Sequence, residues 1–217
     1  SKNDCSTIVR EYEGETLIFN DIIADAKGCI YAGTLYWNGG NMYKTGKLYL
    51  INNDGSICVV DDSIELSNGL GFSPGDKTLY YADSAAGCIY KYDVETDSGE
   101  LKNKRIFIKV PKSEGIPDGV TVDAEGYIWS AIWYGGKVVR YNPWGGIDRV
   151  ITMPVKQVSS VMFGGNGLNK LYVTSAREYW HSDLAPDDFN PGELMGGQLY
   201  RINLDICGKF EHLANYK

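Results

Sequence analysis

Apolar and polar positions alternate along this chain in short bursts, and the three-to-four-residue spacing of an amphipathic helix is nearly absent. Runs such as Cys29-Ile30-Tyr31 and Arg105 to Val110 are rich in Ile, Val and Tyr and stop at clusters of turn residues. Those clusters are Asn53-Asp54-Gly55, Ser73-Pro74-Gly75-Asp76, Asp123-Ala124-Glu125-Gly126 and Gly165-Asn166-Gly167. Strands of about five or six residues at this density predict an all-β chain. The one long stretch without a strand pattern, Arg177 to Met195, carries Pro186 and Pro191 and several acids. A loop of that length inside a domain points to function.

The bursts repeat. One series begins with a polar residue, enters an apolar strand, turns tightly and returns on an aromatic-rich strand. Its members start at Asn20, Asn68, Asp118 and Ser159, spaced 48, 50 and 41 residues apart. A second series interleaves with the first at Gly46-Lys47-Leu48-Tyr49, Gly87-Cys88-Ile89-Tyr90, Gly136-Lys137-Val138-Val139 and Gly197-Gln198-Leu199-Tyr200. Two hairpins per period give four strands in roughly 40–50 residues, the arithmetic of a β-propeller blade. A sandwich has no such period.

Blade geometry converts this spacing into convergence. The innermost strand of each blade lines a central channel, so Asn20, Asn68, Asp118 and Ser159 should meet at one mouth. Oxygen-bearing side chains gathered in this way suit a hard cation. The connections returning to the same mouth hold Tyr36-Trp37-Asn38, Trp133-Tyr134 and Tyr179-Trp180-His181, which predicts an aromatic-walled cup over a polar floor. Taken alone, Asn68-Gly69 reads as a turn; its place in the repeat argues for a site.

Composition removes the competing classes. The net charge of −7 offers no basic field for nucleic acid or an anionic membrane surface, and no apolar run has the length of a membrane span. Five cysteines without a C-x-x-C pair read as buried free thiols in a reducing, cytoplasmic compartment. With two histidines, His181 and His212, neither an H-E-x-x-H zinc site nor a well-supported Ser–His–Asp triad can be drawn. Gly164-Gly165-Asn166-Gly167 lacks the Lys-Ser/Thr and the helix of a phosphate loop.

Several motifs together resemble a known family. Phe19-Asn20-Asp21 with Tyr31-Ala32-Gly33-Thr34, Ser67-Asn68-Gly69-Leu70 with Tyr80-Tyr81-Ala82-Asp83-Ser84, and Ile116-Pro117-Asp118-Gly119 with Asp123-Ala124-Glu125-Gly126 occur in order. Phe163-Gly164-Gly165, Leu171-Tyr172-Val173-Thr174 and Gly196-Gly197 continue the series. This pattern is similar to the regucalcin, gluconolactonase and luciferin-regenerating-enzyme family. The resemblance implies a six-bladed propeller that hydrolyses a small-molecule lactone with one divalent metal ion (Ca, Zn, Mn or Mg) in its channel. It implies Asn68 and Asp118 as metal ligands, Asp118 as catalytic acid/base, and Asn20 as a substrate contact. Ile18 and Asn38 stand where sugar-lactone members carry Arg and Glu, and Trp37 precedes Asn38. Loss of a guanidinium and a carboxylate implies a less polar lactone, bound at Ile18, Trp37 and Asn38 more through apolar and aromatic surface. Two other readings keep the same site: a non-catalytic ligand- or metal-binding propeller, and a hydrolase of other esters or phosphotriesters.

Length is the remaining expectation. At about 48 residues per unit, 217 residues hold roughly 4.5 blades. The chain therefore reads as a single domain (1–217) covering the last four to five blades, with Thr7 to Tyr12 as the outer strand of an earlier blade. An N-terminal fragment or second subunit would complete the ring. The family's third metal ligand, a Glu near its N-terminus, falls in the missing part, so weak metal binding is expected.

Overall fold

The structure is a computed structural model that describes residues 6–38, 41–179 and 183–216. Four antiparallel sheets follow one another along the chain. The first orders β3 (Phe19–Ala24), β4 (Ile30–Thr34), β7 (Gly46–Ile51) and β8 (Ile57–Ile64). The second holds β9 (Ser67–Phe72), β10 (Thr78–Asp83), β11 (Cys88–Glu95) and β12 (Glu100–Lys109). The third holds β13 (Ile116–Val122), β14 (Ile128–Trp133), β15 (Lys137–Tyr141) and β16 (Ile147–Thr152). The fourth has three strands, β17 (Val158–Gly164), β18 (Lys170–Ser175) and β19 (Leu199–Asn203). Each sheet runs inner to outer in chain order, and β3, β9, β13 and β17 pack side by side. This is a propeller-like arrangement in which the described residues form four blades.

The core lies between blades. Tyr31, Leu48 and Leu50 of the first sheet meet Leu70, Phe72, Leu79 and Tyr81 of the second. Val120, Ile128 and Ile132 of the third likewise meet Tyr80, Ile89 and Ile108 of the second. Middle strands such as β4 and β10 are covered on both faces, which explains their unbroken apolar runs. Outer strands β8 and β12 are largely exposed and carry the polar residues.

Two small hairpins decorate the first blade: β1 (Glu11–Tyr12) with β2 (Glu15–Thr16), and β5 (Trp37–Asn38) with β6 (Asn41–Met42). Of Thr7 to Tyr12, expected as an outer strand, Glu11–Tyr12 forms β1. This strand pairs within its own hairpin and sets Tyr12 edge-on to Tyr49, 5.7 Å between centroids. Cysteine burial also departs from expectation. Cys29 and Cys88 are buried, Cys58 and Cys207 are exposed, all four are free thiols, and Cys5 lies outside the described residues. Among the described residues no helix is long and apolar enough to cross a membrane.

After β19 the chain crosses the end of the channel opposite the inner-strand starts and touches the inner turn of every blade. Gly208 N donates to Leu168 O (2.8 Å), Cys207 O accepts from Ala124 N (3.0 Å), and Asn215 N donates to Gly28 O (2.9 Å). His212 Nε2 sits 2.9 Å from Asp76 Oδ1. These contacts tie sheets together that share no strand pairing.

Candidate active site at the channel mouth

Each inner strand is irregular at the same place. The ladder to its neighbour shifts register between Phe19 and Asp21, between Ser67 and Leu70, between Pro117 and Val120, and between Val158 and Ser160. The residues inside these irregularities are Asn20, Asn68-Gly69, Asp118-Gly119 and Ser159. A β-bulge of this kind leaves the ladder locally unpaired and re-aims a side chain, here toward the channel. The Asn-Gly and Asp-Gly pairs are therefore not turns. A Cβ on Gly69 would lie 2.1 Å from Val120 N, and one on Gly119 would lie 2.4 Å from Ser160 Oγ. Glycine is required there because neighbouring inner strands touch.

The bulges bring Asn20, Asn68 and Asp118 to one cavity of about 190 Å³, walled by Leu35, Leu66, Ile116 and Trp133. Ser159 stands at the equivalent bulge, but its Oγ lies 2.8 Å from Thr174 Oγ1, and it is absent from the cavity lining. Ile18, Trp37 and Asn38 are not among the lining residues either. Ile18 O instead accepts from Leu35 N (2.8 Å), and Trp37 Nε1 donates to Glu65 O (3.2 Å). Asn38 is exposed on the β5–β6 hairpin. The wall residues Leu35, Leu66 and Ile116 carried no sequence signal beyond their place beside the repeat. Tyr179 stacks on Phe189 at 5.5 Å and meets the buried Tyr134, so the 177–195 loop is anchored to the third blade; Trp180 and His181 lie outside the described residues. A roomier cleft of about 490 Å³ opens between the second and third blades, but aliphatic side chains dominate it and its Lys137 and Glu114 are paired with each other. Size alone does not select it.

Hydrogen bonds set the polarity of the cup. Asn20 Nδ2 donates to Ser67 O at 2.6 Å and to Asn68 Oδ1 at 3.1 Å. Asn68 Nδ2 donates to Ser84 Oγ at 2.8 Å, and Ser84 Oγ donates to Pro117 O at 2.6 Å. Asn20 Nδ2 and Asn68 Nδ2 each donate to a group in the wall, Ser67 O and Ser84 Oγ, which turns the amide oxygens toward the cavity beside the Asp118 carboxylate; Asn68 Oδ1 also accepts from Asn20. Burial pushes the Asp118 carboxyl well above the ordinary carboxylate range, the neighbouring Asp21 charge adds to this, and the Gly119 N–H opposes it. Burial raises Asp21 as well. An acceptor-rich floor with a desolvated carboxylate is the environment that a hard cation relieves. The residues present fit such an ion, although among the described residues no cluster of three His, Cys, Asp or Glu side chains occurs.

The raised Asp118 carboxyl has a consequence for stability. In the unfolded chain it titrates near ~3.9, so the folded state holds its proton to higher pH. The associated stability is present below that value and is lost as pH rises through the folded pKa. In chelator, the unfolding midpoint of the wild-type chain should fall relative to that of Asp118→Asn between acidic and neutral pH. Parallel thermal melts of the two proteins across that range check this.

Antiparallel sheets whose inner strands pack side by side and bring oxygen-bearing side chains to one cavity define the class, a propeller-like fold. Sequence comparison narrows the class. Residues 1–177 match the model of the SMP-30/gluconolactonase/LRE-like region, and the chain belongs to this family. It is 33% identical over 199 residues to pentonolactonase XacC of Haloferax volcanii, covering 92% of this chain and 67% of that protein. It is 35% identical over 164 residues to human regucalcin, covering 74% and 55%. Among solved structures, a luciferin-regenerating enzyme superposes with a TM-score of 0.80 at 30% identity, covering 92% of this chain and 65% of that one. A calcium-binding protein, regucalcin, from Agrobacterium tumefaciens gives 0.78 at 27%, covering 90% and 64%. The chain thus spans about two thirds of the length of these relatives, and little over half of human regucalcin.

Proposed function

We propose that this chain carries the active site of a lactone hydrolase, with a divalent cation held by Asn68 and Asp118 and Asp118 as acid/base. The observation that carries this reading is the oxygen-rich floor, in which Asn20 Nδ2 donates to Ser67 O and Asn68 Nδ2 to Ser84 Oγ so that both amide oxygens face the cavity with Asp118. A relative named pentonolactonase supports lactone chemistry, and the calcium-binding regucalcin of Agrobacterium tumefaciens supports a divalent ion. The four blades would be part of a six-bladed ring, in keeping with the 64–65% of the solved relatives that the chain covers.

Bound there, a divalent cation supplies polarisation of the lactone carbonyl. The chain's own residues do the rest. The Asn20 amide, fixed by Ser67 O, presents its oxygen to a substrate hydroxyl. A carboxylate has two oxygens, so Asp118 can ligate and still accept the proton of an attacking water. The water oxygen bonds to the carbonyl carbon, the ring C–O bond breaks, and Asp118 returns the proton to the departing ring oxygen. The product is an open hydroxy acid. The walls favour a modest substrate polarity: Leu35, Leu66, Ile116 and Trp133 offer no charge to a polyhydroxylated ring.

A panel of sugar lactones, alkyl lactones and a phosphotriester, each assayed with Ca²⁺, Zn²⁺, Mn²⁺ or Mg²⁺, separates the readings. Cation-dependent opening of lactones, with alkyl lactones preferred, is the expected result. Phosphotriester turnover alone would transfer the site to the other hydrolase class. Ligand binding without turnover of any substrate would make the propeller a binding protein.

A further inference from the structure

Ser84 follows β10 and is fully buried, with its backbone N–H donating to Leu66 O at 3.0 Å. Its hydroxyl stands between the two candidate ligands, accepting from Asn68 Nδ2 and donating to the carbonyl of the residue before Asp118. Proton accounting fixes the direction of this chain of bonds. Pro117 O can only accept, so the single Ser84 proton goes to it, and Ser84 Oγ can then only accept from Asn68. Asn68 must therefore turn its NH₂ toward Ser84 and its oxygen toward the channel. At the other end Ser67 O can only accept, which orients Asn20 by the same logic. Two backbone carbonyls and one hydroxyl thereby decide that oxygens, not N–H groups, face the cup.

We propose that Ser84 is a positioning residue for cation binding, holding the Asn68 amide oxygen-outward and the Pro117–Asp118 peptide in place. This rests on the reading of Asn68 and Asp118 as ligands. Without the hydroxyl only the longer donation from Asn20 Nδ2 to Asn68 Oδ1 (3.1 Å) still distinguishes the two ends of the Asn68 amide, and a flipped amide presents N–H groups to a cation. The carboxylate of Asn68→Asp has two equivalent oxygens and is indifferent to such a flip.

The test is calorimetric titration of the metal-stripped chain with whichever of Ca²⁺, Zn²⁺, Mn²⁺ or Mg²⁺ gives the tightest isotherm on wild type. Ser84→Ala is expected to raise Kd about 10–100-fold, the usual effect of removing a residue that orients a ligand. In the Asn68→Asp background the same replacement should shift Kd by less than about 3-fold. Ser84→Cys, which keeps a side chain of similar size but a poor acceptor, should behave as Ser84→Ala and serves if the alanine variant fails to fold. An unchanged Kd in folded Ser84→Ala, or an equal loss in both backgrounds, overturns the positioning role. No cation binding by wild type would instead overturn the ligand reading beneath it.

Discussion

Asp118→Ala should abolish lactone hydrolysis while the chain stays folded. Loss of the proton transfer alone accounts for about 10²–10⁴-fold in rate, and loss of a cation ligand adds to it. The replacement should leave the fold intact because the carboxylate supports no blade packing: it stands at a bulge, desolvated and near the Asp21 charge. In chelator at neutral pH the variant should even melt slightly higher than wild type, since a half-buried, desolvated carboxylate near another is a cost to the folded state. Initial rates on the preferred lactone, with circular-dichroism melts of the same samples, check both halves. A folded variant with wild-type rate would remove Asp118 from the mechanism.

The second large effect is on stability. Arg140, on β15, is the hub of a buried ion cluster in the third blade. Its Nη2 donates to Asp123 Oδ2 (2.7 Å) and to Glu125 Oε2 (2.6 Å), and its Nη1 donates to Asp148 Oδ2 (2.8 Å). The guanidinium lies 3.7 Å over the Tyr127 ring, and Asp123 also accepts from Trp129 Nε1 at 2.9 Å. Burial alone would weaken the Arg140 charge; the carboxylates of Asp148, Glu125 and Asp123 outweigh it and hold the guanidinium more firmly protonated. Arg140→Ala strands the fully buried Asp123 carboxylate and should cost about 3–5 kcal/mol. For a chain of this size that is a fall in Tm of roughly 6–20 °C. Arg140→Met with Asp123→Asn should recover part of the loss, because the uncompensated charge is gone. Denaturant or thermal melts of the three variants decide it, and a fall below about 2 °C in Arg140→Ala would show the cluster to be dispensable.

The repeat of polar starts at Asn20, Asn68 and Asp118 was legible because blade spacing alone makes equivalent positions converge, and those three residues do share one cavity. Ser159 occupies the same register without joining it, since its hydroxyl is taken by Thr174. What the residue pattern obscured was the local conformation. Asn-Gly reads as a turn in isolation, yet Gly69 is demanded by the approach of Val120 N from the next blade, a contact 51 residues away in sequence. Ser84 illustrates the same limit: its role depends on a carbonyl 33 residues further on. Ile18, Trp37 and Asn38, matched to substrate contacts by resemblance, are not among the residues lining this cavity; Trp37 and Asn38 stand on the β5–β6 hairpin. The closing run from β19 across all four inner turns had no periodic signature, because its bonds are made largely by backbone groups.

The most direct measurement is the rate of lactone opening, followed by acid release at constant pH, as one divalent cation is titrated into the metal-stripped chain. Lactone opening should be absent without the cation, rise to a plateau as a single ion binds per chain, and show no plateau in Asp118→Ala. A rate indifferent to the cation, or saturated binding with no opening of any lactone, would contradict cation-dependent hydrolysis at this site.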